Sequence, residues 1–213
     1  LAGLYEDNLF LANFYQFLDL TPVIQAPKNP VRIPEPRDQK IEFRDVRFSY
    51  PGGTKDAVSG VNLAMNPGEV LALVGENGSG KTTLIKLLCR LYDPGSGSIT
   101  VNGIDLRHFD PVAWRKEISV IFQDYVHYYL SAGENIWVGD VERDQDPVTI
   151  TQAANRSGAD VVIQKLPEGY KTNLGHWFSG GQELSEGEWQ KVALARAFFR
   201  DSNIVVLDEP TSS

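Results

Sequence analysis

Nine consecutive residues, Gly75-Glu76-Asn77-Gly78-Ser79-Gly80-Lys81-Thr82-Thr83, have the types and the order needed to hold a chain of phosphates. They read G-x-x-x-x-G-K-[ST]. Glycines let successive backbone N–H groups curl round an anion with no Cβ in the way. A helix that starts at the lysine adds the positive end of its dipole. Lys81 supplies a point charge for the outer phosphates, and the Thr82 hydroxyl is placed to ligate Mg²⁺. The apolar run Val70-Leu71-Ala72-Leu73-Val74 reads as a strand leading into this loop, and a helix-like run from Leu84 to Leu91 leads out of it. A glycine-rich loop between strand and helix implies a nucleoside triphosphate ligand.

A second constellation lies far downstream. Ile204-Val205-Val206-Leu207-Asp208-Glu209 is a short apolar run ending in two carboxylates. The run predicts a strand buried on both faces. An acid at such a strand end can hold Mg²⁺ directly or through water, which makes Asp208 the metal residue. The next acid, Glu209, can align and deprotonate an attacking water as general base. Gln123 directly follows the predicted strand Ser119–Phe122, where a neutral amide can reach Mg²⁺ or the lytic water, or simply be a polar loop residue. Tyr50 ends a strand from Ile41. Its ring can stack on a purine, worth about 1–3 kcal/mol in base-stacking sites, or be an ordinary half-exposed strand tyrosine.

The elements that must position these groups follow from pattern. The 213 residues suit one medium α/β domain with an appendage. A formal charge of −8 supplies no basic footprint for nucleic acid. No uninterrupted apolar stretch reaches the length of a membrane span, and no signal peptide is visible. The single cysteine, Cys89, excludes an internal disulfide and, among Leu87, Leu88 and Leu91, reads as a packed core thiol. Leu1 and Ser213 both read as cuts in a longer chain. Residues 4–18 carry Leu4, Leu11 and Leu18 at sevenfold spacing with Phe10, Phe14, Tyr15 and Phe17 between, a helix with a broad apolar stripe. At about four turns it is marginal alone in water and needs a partner surface, on this domain or beyond the chain. Residues 21–40 hold five prolines and read as an extended linker, so the domain begins near Ile41. Strands are predicted over 41–48, 61–65 and 118–122, and a hairpin over 98–104 through Asn102-Gly103. Helical stretches are predicted over 106–116 (short and broken), 148–166 and 185–199.

Together these residues resemble an ATP-binding-cassette (ABC) nucleotide-binding domain, in order and spacing, from Tyr50 to Ser212. Tyr50 matches the family's adenine-stacking aromatic, Gly75 to Thr83 its Walker A, Gln123 its Q-loop glutamine, and Asp208 and Glu209 its Walker B aspartate and catalytic glutamate. The segment Leu184 to Ala197 matches the signature motif and its helix. The resemblance implies an α/β fold, a P-loop NTPase of ABC type with an antiparallel β subdomain and a helical subdomain. It implies ATP and Mg²⁺ as cofactors. Nucleotide contacts are implied at Tyr50, Val58, Gly75, Glu76, Asn77, Gly78, Ser79, Gly80, Lys81, Thr82, Thr83 and Gln123, with Ser185, Gly187 and Glu188 serving ATP held by a facing domain. Mg²⁺ falls to Thr82, Gln123 and Asp208, and catalysis to Lys81 and Glu209.

The layout is similar to that of exporters, with the membrane domain preceding the cassette in one chain. Residues 1–20 then read as the cytoplasmic end of a transmembrane helix, 21–40 as linker, and 41–213 as the ATP-binding domain, truncated after Walker B. The implied partners are a second ABC ATPase domain, identical or not, and a transmembrane domain of the same chain, with no nucleic acid. The implied location is the cytoplasmic face of a plasma membrane, of bacterial type. Tyr170 to Gly175 resembles the exporter segment that contacts intracellular loops, and Tyr125 to Leu130 lies where such domains receive a coupling helix. The implied function is ATP hydrolysis powering export of a substrate that nothing here names. The rivals are a non-transport ABC ATPase, opposed by the acidic composition, and a nucleotide-gated module that hardly hydrolyses ATP.

One departure matters. The family's signature is Leu-Ser-Gly-Gly-Gln, whereas this chain has Leu184-Ser185-Glu186-Gly187-Glu188. A literal Ser179-Gly180-Gly181-Gln182 lies six residues upstream, but only the downstream register puts a helix directly after the motif and keeps the spacing to Asp208. Ser185 and Glu188 form an S-x-x-E capping box there. Glu186 in the first turn favours the helix dipole by about 0.3–1 kcal/mol. Facing a triphosphate at ~4 Å it would cost up to about 4 kcal/mol, and pointing outward it would cost little. A weakened composite site is therefore expected, with Glu186→Gly raising ATPase activity. The family's switch histidine would lie beyond Ser213, and His108, His127 and His176 are misplaced to substitute.

Overall fold

The computed structural model describes residues 2–35, 39–177 and 180–208, with side chains from Phe10 onward. Helix α1 (Ala2–Leu18) forms where the apolar spacing places it. Its stripe is uncovered: Phe10, Leu11, Phe14, Tyr15, Phe17 and Leu18 are all exposed. Among the described residues no helix is long and apolar enough to cross a membrane. The proline-rich segment that follows is extended, as the fixed φ of proline requires. It is tied to the body by Val31 N–H donating to His108 O (2.9 Å) and by the Arg90 guanidinium donating to Gln25 O (3.3 Å).

Among the described residues an antiparallel sheet has the order β2-β1-β3-β4, with β1 (Ile41–Phe48), β2 (Val58–Met65), β3 (Ser96–Val101) and β4 (Ile104–Asp105). Strand β1 turns Ile41, Phe43, Val46 and Phe48 into the core. The phase changes between Phe43 and Val46 because a bulge interrupts the ladder there, with Asp45 at φ 44°. The β3–β4 hairpin turns through Asn102 (φ 51°) and Gly103 (φ 78°), the left-handed pair that an Asn-Gly sequence favours.

Helices α2 (Lys81–Leu88) and α3 (Pro111–Lys116) close the core beneath this sheet, burying Ile85, Leu87, Leu88 and Trp114. The Trp114 indole donates to Leu88 O at 2.7 Å, so its one polar atom is satisfied. Cys89 is buried in the same core, and desolvation pushes its thiol up to about 11. A second layer holds β5 (Ile118–Ile121) and β6 (Ile204–Leu207) in parallel, with α7 (Glu186–Arg200) packed on β5. Helices α4 (Ala132–Trp137), α5 (Pro147–Ser157) and α6 (Asp160–Ile163) surround the other face of α7 and bury Ile136, Ile150, Ile163, Trp189, Val192 and Phe199. This is the helical insertion expected between the two halves of the site.

Two expectations fail. The run Val70–Val74 is not a strand, and Val70 and Val74 are 96% and 95% exposed. Strand β6 is not buried on both faces, since Val205 and Leu207 are each 44% exposed. The first failure is one of pairing. Apolar, β-branched composition supplies only propensity, and a strand exists as one member of a hydrogen-bonded ladder. Among the described residues β6 pairs with β5 alone, and nothing pairs with Val70–Val74. The two runs instead wall a slot of about 460 Å³, with Lys81 and Asp208 also in its lining.

Candidate nucleotide site

Helix α2 begins at Lys81 behind Gly80, whose φ of 95° turns the chain out of the loop, and no side chain caps it. The first N–H groups of the helix therefore face the loop without a side-chain acceptor, the arrangement that receives an anion. The loop is a closed bend. Ser79 N–H donates to Glu76 O (3.1 Å), and Lys81 Nζ reaches back to Gly75 O (2.7 Å) and Glu76 O (3.0 Å). Lys81 thus arches over the bend whose tip is Asn77, Gly78 and Ser79.

Thr82 Oγ1 donates to Asp208 Oδ2 at 2.8 Å, across 126 residues of sequence. Asp208 is 7% exposed, and its backbone N–H donates to Ile121 O at 2.9 Å, extending the β5–β6 ladder by one step. Ile121 is paired with Leu207, so the ladder ends with Gln123 and Asp208 at the same edge. Gln123 is exposed there. Glu209, expected as the base, lies outside the described residues. A threonine hydroxyl bonded to a buried carboxylate offers hard oxygens that suit Mg²⁺, and Gln123 lies at the same end of the ladder. That ion keeps several waters and phosphate oxygens rather than demanding a full protein cage. No group of three or more His, Cys, Asp or Glu is gathered for a metal among the described residues.

Tyr50 is half-buried, with edge contacts to Phe48 (5.0 Å between centroids) and Tyr92 (5.4 Å). Its hydroxyl lies 3.1 Å from Thr83 Oγ1, which pins the end of β1 to α2, and Lys86 Nζ stands 5.7 Å over its ring. Val58, expected as a nucleotide contact, sits directly behind the loop. It is 4% exposed and lies beneath Gly80, so it supports the loop from below.

At the signature, Ser185 (φ −63°, ψ 158°) is the N-cap of α7. Its N–H and its hydroxyl donate to Glu188 Oε2 at 2.9 and 2.8 Å. These bonds, the backbone one first, hold the Glu188 carboxyl below the usual glutamate range. Gly187 is exposed with open space around it. Of the upstream rival, Ser179 lies outside the described residues, while Gln182 exchanges backbone bonds with Asn173 and Gly175 and no helix follows it.

The Glu186 carboxylate has a partner that the sequence reading missed. Tyr125 Oη donates to Glu186 Oε1 at 2.8 Å and lies 3.1 Å from Glu186 O. Partial burial, with the carboxylate second, pushes the Tyr125 phenol up to about 12. Two residues on, His127 stacks on Trp189 at 4.3 Å and 4°. Arg196 then donates to Val126 O (2.6 Å) and covers the Tyr128 ring at 4.7 Å. Burial draws that guanidinium down to about 10. A signal was present: Tyr125 and His127 share one side of an extended segment, and Glu186, Trp189 and Arg196 share one face of a helix.

A loop-to-helix anion cradle, joined by a hydroxyl to a carboxylate at a strand end, defines a P-loop nucleotide-binding domain. The family model for ABC transporters matches residues 58–212. The chain belongs to the ABC transporter family, and its fold is that family's ATPase domain, with an antiparallel sheet beside the P-loop core and a helical part. It is 36% identical over 212 residues to the subtilin transport ATP-binding protein SpaT of Bacillus subtilis, covering 99% of this chain and 34% of that protein. It is 33% identical over 210 residues to the nisin transport ATP-binding protein NisT of Lactococcus lactis subsp. lactis, covering 99% and 35%. Among solved structures, a bacterial Atm1-family ABC exporter with ATP bound superposes with a TM-score of 0.86 at 28% identity, over 98% of this chain and 35% of that one. The chain thus spans about a third of the length of these relatives.

Proposed function

We propose that this chain is the ATP-hydrolysing domain of an ABC exporter, attached to a transmembrane domain and working against a second ABC ATPase domain at a membrane. The observation that carries the reading is the Thr82–Asp208 bond, which joins the start of the phosphate-binding helix to the end of β6. The loop N–H groups and Lys81 hold the β- and γ-phosphates. Tyr50 offers its ring to the adenine. Thr82, Asp208 and Gln123 would hold Mg²⁺, which supplies neutralisation of phosphate charge when bound. Glu209 takes a proton from the attacking water. Ser185 and the Gly187 N–H, at the start of α7, receive the γ-phosphate of ATP held by the facing domain. The exposed apolar stripe of α1 and the exposed Val126, Tyr128 and Tyr129 fit contact with the membrane domain. The relatives named for subtilin and nisin transport favour export as the direction. The test is ATPase activity of the full-length protein in lipid, wild type beside Glu209→Gln. Loss of turnover with retained ATP binding is expected in the variant. Equal turnover in both would reject Glu209 as the base, and no turnover in the wild type would reject the hydrolytic reading.

A further inference from the structure

The sequence left the direction of the Glu186 side chain open, and the geometry decides it. In a helix the backbone N–H groups point toward the N-terminus and the carbonyls toward the C-terminus. The Tyr125 hydroxyl lies within 3.1 Å of the Glu186 carbonyl oxygen and 2.8 Å from Oε1 of the same residue. The shared hydroxyl therefore holds the carboxylate on the side of α7 to which the Glu186 carbonyl points. Tyr125 is itself fixed. The segment that carries it is clipped to the same helix by the His127–Trp189 stack and by Arg196 on Val126 O. The pairing thus does not depend on one exposed hydrogen bond finding its partner.

We propose that Tyr125 is a positioning residue. Its hydroxyl holds the Glu186 carboxylate back along α7 and so keeps a negative side chain off the amide end that receives the facing triphosphate. The inference rests on the reading of that helix end given above. It replaces the expectation that Glu186 weakens the composite site. The glutamate is tolerated because its charge is turned away and satisfied within its own domain. It also makes the loop after Gln123 a condition for the signature helix to accept an anion, since losing the Tyr125 contact releases the charge.

The test is a double-mutant cycle in the full-length protein with Tyr125→Phe and Glu186→Gln, singly and together. The phenylalanine keeps the ring and removes only the donor. Y125F should lower kcat/KM for ATP about tenfold, mainly through KM, the factor that ~1.4 kcal/mol represents. E186Q alone should stay within about threefold of wild type. The double variant should recover to near E186Q, because a neutral amide has no charge to release. A merely structural role for Tyr125 gives the same defect in both backgrounds, and that result overturns the proposal, as does a silent Y125F. The affinity of a fluorescent ATP analogue in the same four proteins is the second readout. If wild type binds ATP without hydrolysing it, the hydrolytic reading fails alone. A tenfold coupling in affinity then upholds the Tyr125 role, and its absence refutes it.

Discussion

Gly80→Ala should damage nucleotide binding far more than Gly78→Ala, although both glycines lie in the same loop at positive φ. Gly78 has φ 81° and open space where a Cβ would stand, so alanine there meets only the cost of a left-handed backbone. That cost is about 1–2 kcal/mol. Gly80 has φ 95°, and a Cβ there would lie 2.6 Å from Ala57 O and 3.3 Å from Val58 Cγ2. The Ala57 carbonyl cannot retreat freely, because the neighbouring N–H of Ala57 is bonded to Phe48 O at 2.8 Å and Val58 is buried. Overpacking of this kind typically adds about 1–3 kcal/mol. If the loop yields, the difference appears as ATP affinity, at tenfold for each ~1.4 kcal/mol. Gly80→Ala should therefore bind ATP about five- to hundredfold more weakly than Gly78→Ala. Isothermal titration of both full-length variants measures this, with melting temperature without nucleotide to detect a cost taken in folding instead. Equal affinities together with equal melting temperatures would refute the steric account of the loop.

Gly187→Ala should fold at least as well as wild type. The position is in the first turn of α7 with nothing near its Cβ, and alanine is the better helix former by up to about 1 kcal/mol. ATPase activity of the dimer should nonetheless fall more than tenfold if this face receives a facing nucleotide, and unchanged activity would remove α7 from the site. Glu188 makes a pH prediction with a definite sign. Its carboxyl is lowered from 4.5 in the folded protein, so the cap's stabilisation is complete above that value and is lost as pH falls through the lowered one. The backbone N–H of Ser185 is the larger cause and survives Ser185→Ala, so the variant should return Glu188 only part of the way to 4.5 in a ¹³C-carboxyl NMR titration. Full return would mean the hydroxyl alone sets the shift.

The local features of this domain were legible because their causes are local. The Asn102-Gly103 hairpin, the S-x-x-E start of α7 and the glycine loop before α2 each follow from a few adjacent residues. The same holds for the register of the signature, since a cap at Ser185 and a helix after it are properties of one short segment. What failed were inferences about neighbours. Val70–Val74 has the composition of a strand but no paired partner among the described residues, and β6 leaves Val205 and Leu207 partly uncovered on one face. The Tyr125–Glu186 bond spans 61 residues and required two segments to be laid side by side. Periodicity could mark Tyr125 and His127 as one side and Glu186 and Trp189 as one face, but not that the two meet.

Hydroxyl–carboxylate pairs occur at both ends of the proposed site, and the same bond has opposite consequences in the two places. At Thr82 the hydroxyl donates its proton to Asp208. A cation needs the oxygen lone pairs and not the proton, so this bond leaves Thr82 competent as a ligand and orients it toward the metal side of the carboxylate. At Ser185 the hydroxyl donates its proton to Glu188. An anion needs that proton, so a phosphate arriving at α7 must compete with a carboxylate already holding it. Bonds to an ionised acceptor are about twice as strong as those to a neutral amide, which is the difference between glutamate and glutamine at this position. The nucleotide held by the chain's own loop therefore meets groups already arranged for it. In the proposed dimer, a nucleotide offered by the facing domain would meet a helix start whose hydroxyl is spent on Glu188 and whose neighbouring charge, Glu186, is bonded to Tyr125. Asymmetry between the two halves of a composite site can thus arise from side-chain proton allocation alone, with the fold of each half intact.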